Sequence, residues 1–247
     1  MSSLIFYTDA AQALVATDTL AVSNNGEPFK FTTKAILVPH LHLVLCVTGA
    51  HGMLGRWFVQ VNDWTEVRDL DHLNYHTPNQ LNSLWREYHD EIAVPEGATV
   101  TIYHIGFSLE ARVIRAYAYR STNQFRSELL PYGLAVKPEC PVLDHYELPT
   151  DIRRMMDTQR TIEAVRPPHE RVYIGGEIQI HHLTMDGCSI YSLGRFEDYE
   201  QHEQSMYENF RPNLQNRLGL DCQTLNSQKF SGKLLPIVVH DIPHLQE

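Results

Sequence analysis

The order in which strand-like and helix-like segments alternate along the chain is what most narrows its fold. Within the first fifty residues four short apolar runs follow one another: Leu4-Ile5-Phe6-Tyr7, Ala13-Leu14-Val15-Ala16, Ala35-Ile36-Leu37-Val38 and Leu41 to Val47. They are separated by Asn24-Asn25-Gly26 and by Pro39-His40. Short apolar runs bounded by turn residues read as strands of antiparallel hairpins. Their apolar character is continuous rather than cleanly alternating, which predicts strands covered on both faces, by another sheet on one side and helices on the other.

After Thr48-Gly49-Ala50-His51-Gly52, the residues Met53, Leu54, Trp57, Phe58 and Val61 fall at helical spacing. A second helix is predicted from Thr77, with Thr77 as N-cap, Pro78 in the first turn, Gln80 completing a capping box, and Leu81, Leu84, Trp85 and Tyr88 as its buried stripe. Pro95-Glu96-Gly97 ends it, and strands resume at Thr99–Tyr103 and Ala111–Tyr119. A proline-bearing connection from Pro131 to Pro149 leads to a helix capped near Thr150-Asp151. Ile152, Met155, Met156, Ile162 and Val165 share its face, and Pro167-Pro168 stops it. Val172–Ile174 and Glu177–Ile180 read as strands, and Asp186-Gly187 as a hairpin turn into Cys188–Ser192. Strands, two helices, strands, a helix and strands predict an α+β protein in which two stacked antiparallel sheets lie between helical layers. No repeat or linker divides the 247 residues, so they read as one domain, 1–247, with a C-terminal extension from about Phe210.

Composition removes several classes. Hydrophobic residues at 43% and charged residues at 20% match ordinary globular usage. No stretch approaches the roughly 18 consecutive apolar residues of a membrane span, and the N-terminus has no export-type leader, which points to a cytoplasmic protein without a membrane partner. Thirty acidic against twenty basic residues, a formal charge of -10, argue against a nucleic-acid partner. The four cysteines, Cys46, Cys140, Cys188 and Cys222, form no C-x-x-C pair and read as buried free thiols. Among fourteen histidines, His40-Leu41-His42 and His181-His182 lack a carboxylate at metal-ligand spacing, so neither a metal nor another cofactor is expected. Gly175-Gly176 precedes a strand and lacks a dinucleotide-loop context; close sheet packing accounts for it better. Trp57, Phe58, Trp64, Trp85 and Tyr88 read as the core of the helical layer.

The chemistry-bearing pattern lies near the chain start. An N-terminal hydroxyl residue has its own base beside it, because a free α-amine titrates at about 7.7 to 8.0. Ser2 follows Met1 and would carry such an amine once Met1 is removed. The site also needs a cation to favour the neutral amine and a carboxylate to hold that cation, and Asp18 and Lys34 are candidates for that pair.

Ser2-Ser3-Leu4-Ile5, Leu14-Val15-Ala16-Thr17-Asp18-Thr19, Thr32-Thr33-Lys34-Ala35-Ile36 and Val47-Thr48-Gly49 resemble the proteasome β-subunit family of N-terminal-nucleophile hydrolases, a threonine-type peptidase family, including its bacterial relatives. Sixteen positions take the chain from Ser2 to Asp18 and sixteen more from Asp18 to Lys34, the family's interval in both steps. The resemblance covers about the first 60 residues well and the segment from Gly175-Gly176 to Gly187 moderately.

It implies a four-layer αββα sandwich, assembly with identical copies, for which a ring is one arrangement, and hydrolysis of peptide or other amide bonds through an acyl-enzyme. By the same resemblance, Ser2 is the nucleophile, Lys34 lowers the proton affinity of its amine, Asp18 anchors Lys34, and the Gly49 N–H donates to the oxyanion. The specificity pocket would be lined by residues near positions 20 to 54 and by a neighbouring subunit. Two positions depart from the family. Where it carries Asp-x-x-Ser before its Gly-Gly, this chain has Arg171 and Ile174, an altered supporting shell. The alternative is a noncatalytic scaffold or binding protein that kept the sandwich.

Overall fold

A computed structural model describes residues 2–218 except 24, 51, 93, 95, 96 and 143; the side chains it describes end at 208. The chain separates into two compact units, residues 1–206 and 207–247. Met1, Asn24, His51, Pro95, Glu96 and Cys222, invoked above, lie outside the described residues, as does most of the extension expected from about Phe210.

The first unit opens with strands β1 (Leu4–Thr8), β2 (Gln12–Asp18), β3 (Leu20–Val22), β4 (Pro28–Phe31), β5 (Ala35–Val38) and β6 (Leu43–Gly49). Helices α1 (Gly52–Asn62) and α2 (Leu70–Glu91) follow, then β7 (Val100–Ser108), β8 (Val113–Arg120), β9 (Ser127–Leu129) and β10 (Gly133–Lys137). Helix α3 (Ile152–Ala164), β11 (Glu177–Thr184) and β12 (Gly187–Arg195) complete it, and α4 (Tyr199–Leu218) continues into the second unit. One antiparallel sheet has the order β10-β1-β2-β11-β12 and the other β5-β6-β7-β8-β9, with β3 and β4 forming a separate hairpin.

Alternating residues on single strands divide the core into three layers, as double coverage requires. Leu4 and Phe6 of β1 and Ala13 and Val15 of β2 meet Val44 and Cys46 of β6 between the sheets. Ile5, Leu14 and Ala16 turn the other way, onto Ile152, Met155 and Met156 of α3. Leu43, Leu45 and Val47 of β6 face α1 and α2, where Met53, Leu54, Trp57, Leu70, Leu73 and Leu81 are buried. Helices, sheet, sheet and helix therefore stack as the strand pattern predicts, an α+β sandwich of the αββα type. Trp57 and Tyr88 are buried in the helical layer, and Phe58, Trp64 and Trp85 pack partly buried against it.

Several local expectations are corrected. Helix α2 begins at Leu70, where the Asp69 side chain accepts from His72 N, and Thr77 and Pro78 lie in its interior. The buried stripe Leu70, Leu73, Thr77, Leu81, Leu84 and Tyr88 overrides the local start signal, and the Thr77 hydroxyl turns back to donate to Leu73 O at 2.7 Å. Pro39–Leu41 form a 3-10 turn and His42 is left-handed, so the strand expected from Leu41 begins at Leu43. Val172–Ile174 run as an irregular segment rather than a strand. Val165 is exposed, because the buried face of α3 runs through Gln159 and Glu163 instead. Cys46 is buried, but Cys140 and Cys188 are only half-buried.

His104 of β7 is fully buried against Trp57 and Tyr119. Trp57 Nε1 donates to His104 Nε2 at 2.8 Å, which puts the ring proton on Nδ1. Burial pushes the His104 pKa down from 6.5 to about 3. The folded ring thus stays neutral where the unfolded one is protonated. Its contribution to stability is complete above the unfolded pKa and is lost as pH falls, by up to roughly 1.4 kcal/mol per pH unit. His104→Gln retains an acceptor for Trp57 and does not titrate. Denaturation between about pH 6.5 and 3 is expected to show an acid slope one proton shallower than in the parent, and an equal slope rejects this assignment.

Candidate active site

Strand pairing delivers the chain start to the end of β2. Leu4 pairs with Thr17 on one side and with Lys137 on the other, so Ser3 and Ser2 emerge beside Asp18, the last residue of β2. Both serines are buried, Ser2 with 8% exposure and Ser3 with none. Asp18 is also fully buried, and its carboxylate gathers three donors. Oδ1 accepts from Ser3 N at 2.9 Å and from Lys34 Nζ at 2.7 Å, and Oδ2 accepts from Gly175 N at 3.1 Å.

Lys34 sits just before β5 in the other sheet and is 2% exposed. Its ammonium donates to Asp18 and, at 2.7 Å, to Leu20 O. Burial pushes the Lys34 pKa below the ordinary lysine value, and the Asp18 carboxylate opposes that shift only in part. Ser2, Lys34 and Gly49 line one cavity of about 610 Å³. Its wall includes Ala21, Val22 and Ala50, within the expected range of positions, but also Tyr88, Thr99, Arg171 and Tyr173, which lie outside it.

Gly49 closes β6 at φ +95°, and a Cβ there would stand 2.1 Å from Thr99 O. The backbone thus requires glycine at this place whatever its N–H does. Gly176, at φ +81°, is equally constrained, since a Cβ would meet Thr19 Oγ1 at 2.3 Å. Around it, Thr19 N and Leu20 N both donate to Gly175 O, and Glu177 N donates to Thr19 Oγ1. Close packing of the Gly175-Gly176 segment on Asp18–Leu20 accounts for that glycine pair.

The two departing positions have structural roles. Arg171 Nη2 donates to Ala164 O at 2.6 Å and Arg166 O at 3.0 Å, covering carbonyls at the end of α3, and the guanidinium lies 5.7 Å from the Tyr173 ring. Ile174 is buried in the core beside α3. Sequence reasoning passed over Ser3, Gln159 and the Gly175 amide. Ser3 Oγ donates to Gln159 Oε1 at 2.6 Å. The available signal was a polar residue at the i+3 and i+4 positions from Met156 and Met155, continuing the stripe that Ile152 opens. Among the described residues, no group of three His, Cys, Asp or Glu side chains is placed to hold a metal ion. Nor is any helix there long and apolar enough to cross a membrane.

No protein-family model matches the chain, and no curated protein matches its sequence significantly. Among solved structures, Anbu, the ancestral beta-subunit from Yersinia bercovieri, is similar with a TM-score of 0.54 at 10% identity. The alignment covers 90% of this chain and 98% of that one. At this identity the likeness is one of fold, and it agrees with the proteasome-like sandwich.

Removing one partner of a buried ion pair strands the other's charge, at a cost of about 3–5 kcal/mol. Asp18→Ala is therefore expected to destabilise by about that amount, and Lys34→Met likewise, so neither substitution is neutral for folding. Asp18→Ala combined with Lys34→Met should recover much of the loss in urea titrations. Strictly additive losses would show that the two charges are not coupled.

Proposed function

We propose that the chain is a proteasome-like N-terminal-nucleophile hydrolase that cleaves peptide or other amide bonds through an acyl-enzyme on Ser2 after removal of Met1. The observation that carries this reading is the buried Asp18–Lys34 pair beside the chain start, whose Lys34 lines the same cavity as Ser2. A buried ion pair is a poor way to stabilise a core, since apolar side chains of similar volume generally do as well. A lysine held almost free of water on the wall of the cavity that Ser2 also lines has an evident chemical use.

In this mechanism the Ser2 amine takes the Oγ proton as Oγ attacks the carbonyl carbon. The charge of Lys34 disfavours protonation of the resting amine and stabilises the developing negative charge, and the Gly49 N–H donates to the oxyanion. Collapse breaks the C–N bond, and the proton held by the amine passes to the leaving nitrogen. Water, deprotonated by the same amine, then attacks the ester, releases the carboxylic acid and restores the Ser2 hydroxyl. Asp18 orients Lys34 through a charge-assisted hydrogen bond. The chain acts, in this reading, in the cytoplasm as an assembly of identical copies whose neighbouring subunits contribute to substrate selection.

The second reading, a noncatalytic proteasome-like scaffold or binding protein, is favoured by Arg171 and Ile174. Both serve the fold where a catalytic supporting shell is expected. Intact mass and a β-lactone probe separate the two. The lactone acylates a nucleophilic hydroxyl as its ring C–O bond opens and takes up the hydroxyl proton. A hydrolase should lack Met1 and gain the mass of one lactone on Ser2. Both Ser2→Ala and a Lys34→Ala variant shown to be folded should lose labelling by at least about a hundredfold. Retained Met1 with no labelling of Ser2 overturns the hydrolase reading.

A further inference from the structure

We propose that Gln159 is a positioning residue for the Ser2 nucleophile, an inference that rests on the hydrolase reading. Gln159 is fully buried on the inner face of α3, in line with Ile152, Met155 and Met156. A leucine would suit that stripe, whereas a buried amide is costly unless both of its ends are paired. Both ends are paired. The Pro138 carbonyl can only accept, so Gln159 Nε2 faces it at 2.6 Å, and Oε1 accepts the Ser3 hydroxyl proton at 2.6 Å.

The place of these bonds gives them their use. Pro138 directly follows β10, whose last residue, Lys137, pairs with Leu4. Ser3 is thus held from the β10 side through its hydroxyl by Gln159 and from the β2 side through its N–H by Asp18. That N–H belongs to the peptide joining Ser2 to Ser3, so the Asp18 bond sets the plane of the peptide carrying the nucleophile. The Gln159 bond fixes the residue on which that peptide pivots. A hydroxyl that must approach a carbonyl within about 3–3.5 Å loses roughly a hundredfold in rate for a misplacement of about 1 Å. Gln159 touches neither Ser2 nor substrate in this arrangement, and it acts through Ser3.

The test uses the full-length chain with two readouts: hydrogen exchange of the Ser3 amide under uniform 15N labelling, and β-lactone acylation of Ser2. Gln159→Leu is expected to speed Ser3 amide exchange at least about tenfold while Ile180 in β11 keeps its protection. It should also lower the maximal acylation rate about ten- to a hundredfold with little change in the half-saturating lactone concentration. Ser3→Ala cuts the same bond from its other end, and serves alone if Gln159→Leu does not fold. It should slow acylation equally, and the double variant should be no slower than either single one. Unchanged Ser3 exchange in Gln159→Leu overturns the inference whatever the lactone shows, as does faster exchange with an unchanged maximal rate. Absence of Ser2 acylation in the parent overturns the hydrolase reading, and with it any part for Gln159 in the reaction. Exchange still reports separately whether the tether holds the chain start.

Discussion

Three donors from three parts of the chain converge on the Asp18 carboxylate: the Ser3 amide, the Gly175 amide and the Lys34 ammonium. Asp18 ends β2 in one sheet, and Lys34 precedes β5 in the other. The pair therefore joins the two sheets at one end of the sandwich, and the same carboxylate fastens the start of the chain and the segment before β11. With both groups almost wholly removed from water, their charges are tolerable only because each is hydrogen-bonded to several partners at once. The cavity that contains Ser2 is built around this junction.

The residues on the cavity wall and directly behind it divide into two kinds. Gly49 is there because the backbone at the end of β6 runs against Thr99, and Tyr88 because it completes the buried stripe of α2. Ser2, Lys34 and Asp18 have no comparable need in the fold, since apolar residues of similar size would satisfy the packing at lower desolvation cost. Arg171 and Ile174 belong to the first kind: one covers the carbonyl end of α3, and the other fills the core beside that helix. On the side formed by the two sheet ends, Ser2 and Lys34 line the wall and Asp18 bonds Lys34 from behind it. The side formed by the segment after α3 is occupied by groups that serve packing and capping.

Helix α3 links these two sides. Along one face it presents Ile152, Met155 and Met156 to the sheet, then Gln159, then Glu163, whose carboxylate accepts from Val172 N. One helix thereby positions Ser3 at its middle and the segment leading to Gly175 near its end. This regularity joins residues more than 150 positions apart in sequence.

Much of this was legible before any coordinates. The alternation of apolar runs with turns set the two sheets and their double coverage, because a strand buried on both faces has no polar side to show. The spacing of Ser2, Asp18 and Lys34 singled out the pair that proves to be buried and bonded. Local signals misled where tertiary packing outweighed them. Thr77 and Pro78 read as a helix start but lie inside α2, because the buried face from Leu70 to Tyr88 holds the helix together past the missing proline N–H. Val165 read as core but is exposed, since it is the C-cap of α3 and at about 100° per residue lies roughly 140° around the helix from Ile152. What the sequence by itself determined was the layering, a consequence of short-range pattern, and the charged pair, through intervals that resemble those of the proteasome β-subunit family. Only the tertiary structure decided that Gln159 grips Ser3, that Gly175 serves Asp18 and that Arg171 caps a helix. Hydrogen bonds between distant residues depend on how strands and helices are stacked, and no local periodicity records them.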